Sequence, residues 1–248
     1  LVVTIPAETV VQGVGEATGS GGNVTIKADM LTVQNGATLS ATTRGSGQGG
    51  TVSVDARGGL VTLVGPGTGL FTNSEASGGS GNINVTALSM TMDNGAKVSA
   101  ATTSSGNAGG ITANVGTLTL TNDAEIASSS TGAATGAAGS VTIQGLASPA
   151  DAVTLTNSSL RTSADSTGRG GSITVDATNL TLNGATISAS VKNVNAADVT
   201  DGPTSGIGDI ELTSSTMNMT GGTVTAATSG ARNAGTITLT TTDNTGNT

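Results

Sequence analysis

The chain has 248 residues, long enough for a substantial core, yet it holds one aromatic residue, Phe71, and no cysteine or histidine. Those absences exclude disulfides, most soft-metal sites and histidine-activated nucleophiles, and leave Val, Ile, Leu, Met and Ala to fill the interior. The formal net charge of −8, from 16 acidic and 8 basic residues scattered singly, excludes the clustered Lys and Arg of a nucleic-acid surface.

Glycine at 39 and proline at 4 together stay below the share that marks low-complexity disorder. No apolar run approaches the ~20 residues that span a bilayer, so membrane insertion is not expected. The first residue is Leu1, with no charged and apolar leader behind it. The chain therefore reads as a mature product or an excised piece.

The opening "VVTIPAETVVQ" reads as two short strands. From there the pattern Gly-x-[VI]-x-[VIL] starts units at Gly22, Gly50, Gly81, Gly139, Gly171, Gly208 and Gly235, and Gly109 fits with the weaker core "GGITA". The interval stays near thirty residues throughout, the signature of a repeat architecture. In the first unit "GNVTIKA", "MLTVQN" and "GATLSATT" are three strands, with Val24 and Ile26, Leu31 and Val33, and Leu39 and Ala41 alternating with polar residues. A period of two marks strands with one buried face, and no comparable stretch keeps a helical period.

Later units repeat this, as in "LTLTNDAEIAS" from Leu118 and "LTLNGATISAS" from Leu180. Asn35-Gly36, Asn94-Gly95 and Asn183-Gly184 punctuate the step between second and third strands, with Asn122-Asp123 and Asn157-Ser158 in the related place. A hairpin meander would not need one three-strand cassette per unit, whereas a chain coiling in one direction does. The fold expected is all-β: a right-handed parallel β-helix (β-solenoid) with three strands per rung and about eight rungs of roughly 30 residues, the hand following the preference of parallel crossovers.

One domain spans residues 1–248. A partial first rung covers 1–21, repeats start near 22, 50, 81, 109, 139, 171 and 208, and a partial last rung covers 235–248. At the strand spacing of ~4.8 Å the stack stands roughly 40 Å tall. "GSGQGG" and "STGRGG" read as variable loops closing one rung before the next, and the longest insertion runs from Lys192 to Gly208. The chain closes on "GTITLTTT", a first strand. Neither end carries a recognisable cap, so the ends are those of a slice or are meant to stack.

The cassette "GGNVTIKADMLTVQNGATLSATTRGSGQ", echoed by "GNINVTALSMTMDNGAKVSAATTSSGNA", resembles the repeat region of filamentous-haemagglutinin-like exoproteins, the bacterial two-partner-secretion adhesins. The resemblance covers about Gly22 to Thr242 and implies an adhesive or structural fibre, secreted or on the bacterial cell surface. The family's amino-terminal secretion domain is not apparent, and the resemblance transfers no functional residue.

Candidate chemistry is sparse, and no catalytic, cofactor-binding or metal-ligating residue is assigned. Asp55 and Asp176 follow the first strand of the second and sixth units, ~19 Å apart at the stacking distance, too far to share a proton or cation. Asp198, Asp201 and Asp209 crowd the longest insertion, but their spacing matches no calcium loop. Arg44, Arg169 and Arg232 stand alone in Gly/Ser-rich stretches and read as solvated loop charges. "GSGQGG" lacks the Gly-Lys-[Ser/Thr] of a phosphate loop.

Thr32, Thr62, Thr91, Thr119, Thr154 and Thr181 fall on one outward column, doubled at Thr121 and Thr156. Branched Thr suits an exposed pleated surface in any case. The function expected is a non-enzymatic extracellular rod or fibre segment. Its partners are copies or flanking repeats stacked end to end, together with surface glycans. The alternatives are a polysaccharide-active β-helix enzyme and an ice- or surface-binding solenoid.

Overall fold

The computed structural model describes residues 2–5, 10–12, 18–131, 135–147, 149–165, 168–192, 208–229 and 233–242. Every described element is a β-strand. In chain order they are β1 (Val2–Ile5), β2 (Val10–Gln12), β3 (Val24–Lys27), β4 (Met30–Gln34), β5 (Thr38–Ser40), β6 (Val52–Val64), β7 (Gly69–Phe71), β8 (Ile83–Asp93), β9 (Lys97–Thr102) and β10 (Ile111–Thr121). There follow β11 (Glu125–Ser130), β12 (Val141–Gln144), β13 (Ala150–Thr156), β14 (Ser159–Ala164), β15 (Ile173–Asn183), β16 (Thr186–Lys192), β17 (Ile210–Thr220), β18 (Thr223–Ser229) and β19 (Ile237–Thr241).

Two sheets run the length of the stack. One has the order β1-β4-β6-β8-β10-β12-β15-β17-β19, with β3 on β6 and β13 between β10 and β15; the other runs β18-β16-β14-β11-β9-β7-β5-β2. Each strand pairs in parallel with its counterpart one repeat away, as β8 does with β10 and β9 with β11. The molecule is a β-solenoid of about seven turns. The opening strands β1 and β2 pair with β4 and β5, so they are the second and third strands of their coil, and β19 on β17 is a first strand.

The register places like on like. Val24, Val52, Ile83, Ile111, Val141, Ile173, Ile210 and Ile237 form one column, every member β-branched. Val33, Leu63, Met92, Leu120, Leu155, Leu182 and Met219 form a second, and Leu39, Leu70, Val98, Ile126, Leu160, Ile187 and Val224 a third. These columns are the core, which is how a chain almost without aromatics buries enough area. Phe71, the one aromatic, lies outside it, half-buried with its ring against Gly69.

The three-strand cassette appears differently from its expectation. First and second strands run on as a single strand in β6, β8, β10, β15 and β17, and separate only as β3 with β4 and β12 with β13. Inside each long strand, however, the inward phase slips by one. Ile83, Val85 and Ala87 point in, Leu88 and Ser89 both face out, then Met90 and Met92 point in. Two successive outward residues let the backbone bend around the core without breaking its ladder, so one strand serves two faces. Between Ala56 and Leu60 the register shifts against β8, where Arg57, Gly58 and Gly59 stand opposite Leu88 alone.

The corner before the third strand follows the Asn-Gly expectation in part. Asn35 (φ 55°) with Gly36 (82°), Asn94 (54°) with Gly95 (75°), and Asn122 (50°) with Asp123 (63°) put two successive residues in the left-handed region. The later coils use one such residue, Asn157 (47°), Gly184 (60°) or Gly221 (64°). Asn183 pairs with Thr156 and is therefore the last residue of its strand, which leaves Gly184 to turn the corner alone.

The loops expected to vary are instead part of the stack. Backbone bonds cross them from Gly21 to Gln48, Gly49 to Gly79, Ser80 to Asn107, Ala108 to Ala137 and Ala138 to Arg169, at 2.7–2.9 Å. In the five loops that hold Gly47, Gly78, Gly106, Gly136 and Gly168, two glycines each sit against the glycine one coil earlier. A Cβ on Gly78 or Gly106 would lie 1.8 or 2.1 Å from the carbonyl oxygen of Gly47 or Gly78, and one on Gly81 or Gly109 would lie 1.9 or 1.8 Å from that of Gly50 or Gly81. "GSGQGG" and "STGRGG" are alike because Gly47 and Gly50, like Gly168 and Gly171, belong to these two seams. Side chains vary around them, as Gln48 against Arg169.

Candidate functional site

The lateral faces carry the exposed chemistry. The predicted threonine column is present and longer than expected. Thr4 joins Thr32, Thr62, Thr91, Thr119, Thr154 and Thr181, and the column ends at Asn218. Its neighbour two residues on is mixed, running Gln34, Val64, Asp93, Thr121, Thr156 and Asn183. Between these two columns, among the described residues, threonine stands beside threonine at Thr119 with Thr121 and Thr154 with Thr156, short of the doubled array that the surface-binding alternative needs.

Asp93 ends β8 in that mixed column. Its carboxylate accepts from Thr121 Oγ1 at 2.7 Å and from Asn122 Nδ2 at 2.8 Å, both on the next coil. These bonds hold its pKa below the usual carboxylate value, against a smaller opposing effect of burial. Asp93 is thus a clip between coils.

The carboxylates singled out in the sequence are not brought together. Asp55 stacks between Lys27 and Thr86, with Asn114 and Gln144 beyond, and lies 4.0 Å from Arg57. Asp176 is in the later strand β15, beside Thr213. Asp198 and Asp201 fall outside the described residues. Asp209 accepts the backbone N–H of Thr236 at 2.7 Å, which repeats the bonds of Asn23 to Thr51 and Asn82 to Gly110, both 2.8 Å. It works as a rung-to-rung brace. Among the described residues no three of His, Cys, Asp and Glu converge.

Arg44 is not the lone charge expected, since its Nε meets Glu75 at 3.3 Å one coil away. Arg232 falls outside the described residues, and the Arg169 carbonyl belongs to the loop ladder. The third face carries a short charge stack. Glu125 lies 3.0 Å from Lys97 and 3.9 Å from Arg161 on the coils either side. Such partly exposed pairs are worth ~0–1 kcal/mol each and set alignment more than stability.

Beside this stack, where the corner shortens from two residues to one, an open groove of about 390 Å³ is lined by Asp123, Glu125, Asn157, Ser159, Gly184 and Thr186. Its oxygens suit hydroxyl-bearing ligands chemically. Glu125, one of its two carboxylates, is already taken up by Lys97 and Arg161.

Sequence reading missed the interior hydroxyls. At the end of the third strand, Thr72 donates to Gly81 O at 2.6 Å, Thr162 to Gly171 O at 2.7 Å, and Ser128 to Gly109 O at 2.9 Å while accepting from Gly139 N at 2.8 Å. Ser74 bonds Gly78 O in the same way. All four are buried. They satisfy loop backbone groups that would otherwise be buried without partners, and so fasten the glycine seams to the sheet. No helix among the described residues is long and apolar enough to cross a membrane. Comparison with protein-family models, with curated proteins and with solved structures finds no match.

Proposed function

We propose that this chain is a non-enzymatic structural segment of a bacterial extracellular protein, a rigid β-solenoid spacer or adhesive fibre piece of the filamentous-haemagglutinin-like kind. The observation that carries this reading is the unbroken stacking of column on column along two sheets. The faces of such a stack are occupied mainly by short polar side chains and by residues that brace one coil to the next. A scaffold built this way resists bending, because every coil is tied to its neighbours by backbone ladders, side-chain clips and seams.

End-to-end partners follow from the same logic. At the last described coil the inward positions Met219, Ile237 and Leu239 are exposed at 39%, 41% and 50%. By register they align with Ile5, Val24 and Ile26 at the opposite end, apolar on apolar. A flanking coil or a second copy of the chain suits that layer, and glycans suit the outward hydroxyls.

Immunogold labelling of intact cells of the producing organism, with antibodies raised to the folded chain, tests the reading. Label on the outer surface or on shed fibres is expected. Label confined to the cell interior would overturn it.

A further inference from the structure

We propose that Asn35-Gly36 is a latent site of spontaneous deamidation, silenced by the hydroxyl of Thr68 on the next coil. An exposed Asn followed by Gly is the sequence most prone to this reaction. The backbone nitrogen of Gly36 would attack the side-chain carbonyl carbon of Asn35. A C–N bond forms, the bond to the side-chain amide nitrogen breaks, and ammonia departs with the proton lost from the backbone nitrogen. Water then opens the cyclic imide to Asp or to its β-linked isomer. The step needs the Gly36 nitrogen free of its proton and free to move.

At the two other Asn-Gly sites a backbone acceptor denies that freedom. Gly95 N donates to Asn122 O and Gly184 N to Thr220 O, each at 2.8 Å and each across to the following coil. Asn35 lacks this arrangement, because the coil above it turns its corner through Gly65-Pro66-Gly67, with Gly65 at φ 105° and Gly67 at 74°. A side chain takes the missing place. Thr68, fully buried, donates to Val64 O at 3.0 Å and accepts the Gly36 N–H at 2.8 Å. The protection of Asn35 thus hangs on one hydroxyl, while that of Asn94 and Asn183 is built into the ladder.

The lock does not depend on where the protein works. Its benefit rests on the extracellular reading, since a fibre outside the cell is not renewed by resynthesis. The test follows conversion of the three asparagines by peptide mass mapping of the folded chain in weakly alkaline buffer, for the parent, Thr68→Ala and Thr68→Ser. Thr68→Ala is expected to raise conversion at Asn35 about five- to tenfold, the worth of one net hydrogen bond, with Asn94 and Asn183 unchanged, and Thr68→Ser to restore the parent rate. Equal Asn35 rates in parent and Thr68→Ala would overturn the proposal. So would a parallel rise at Asn94 and Asn183, which would mean general loosening of the stack.

Discussion

Gly109→Ala is expected to lower stability by about 1–3 kcal/mol, the range for forcing an extra methyl into a packed site, and Gly110→Ala, one residue on, to be nearly silent. The two glycines are adjacent in "AGGITA" and indistinguishable by composition. A Cβ on Gly109 would stand 1.8 Å from the carbonyl oxygen of Gly81, while one on Gly110 would meet nothing nearer than Asn82 Oδ1 at 3.6 Å. The clashing atom is backbone, so it cannot swing aside. Relief requires the loop to lift from the coil below, which strains the bond from Ser128 Oγ to Gly109 O at 2.9 Å. Urea titration of both variants checks this: the midpoint should fall for Gly109→Ala with little change in slope. Equal midpoints for the two variants would mean that the seam is not closely packed.

Leu120→Ala is the second large effect, at about 2–5 kcal/mol. Leu120 is fully buried between Met92 and Leu155 of the neighbouring coils. In a stack whose core is one column deep at each position, the coils on either side cannot close over the lost volume without leaving their own register, so the cavity term should stay near its upper range. Thr119→Val, one residue away on the outer face, keeps the β-branched shape and is expected to change stability by less than about 0.5 kcal/mol. Thermal unfolding of the pair reads the contrast between the faces of a single strand.

Much of this fold is legible in the sequence because a coil repeats its own evidence. The Gly-x-[VI]-x-[VIL] starts predict the register, and Val24, Val52 and Ile83 do pair in sequence. The threonine column is equally legible, since period two within a strand and period thirty between coils place Thr32 over Thr62 without further information. What stayed hidden was contact between loops. "GSGQGG" looks like flexible filler because glycine signals conformational freedom and close approach alike, and only the Gly47 and Gly50 columns show that approach is the reason here.

The interior hydroxyls were hidden for a related cause. Counting by twos past Leu70 or Ile126 lands on Thr72 and Ser128, but a hydroxyl is ordinarily read as outward. Their burial makes sense only once the glycine carbonyls they satisfy are in place. The one-residue corners of the later coils were likewise masked by Asn183-Gly184, which has the dipeptide of Asn94-Gly95 in a register displaced by one.

The most direct test of the stacked-coil account is a ruler laid along the threonine column by pulsed electron spin resonance. The chain has no cysteine, so nitroxide pairs can be attached at Thr32→Cys with Thr154→Cys, Thr32→Cys with Thr181→Cys, and Thr4→Cys with Thr181→Cys. These pairs are four, five and six coil steps apart by register. At ~4.8 Å per step the account predicts centres at ~19, ~24 and ~29 Å, one strand spacing added for each further coil of 27 or 28 residues. Distances that grow by more than one strand spacing per coil, or broad distributions without a maximum, would contradict it.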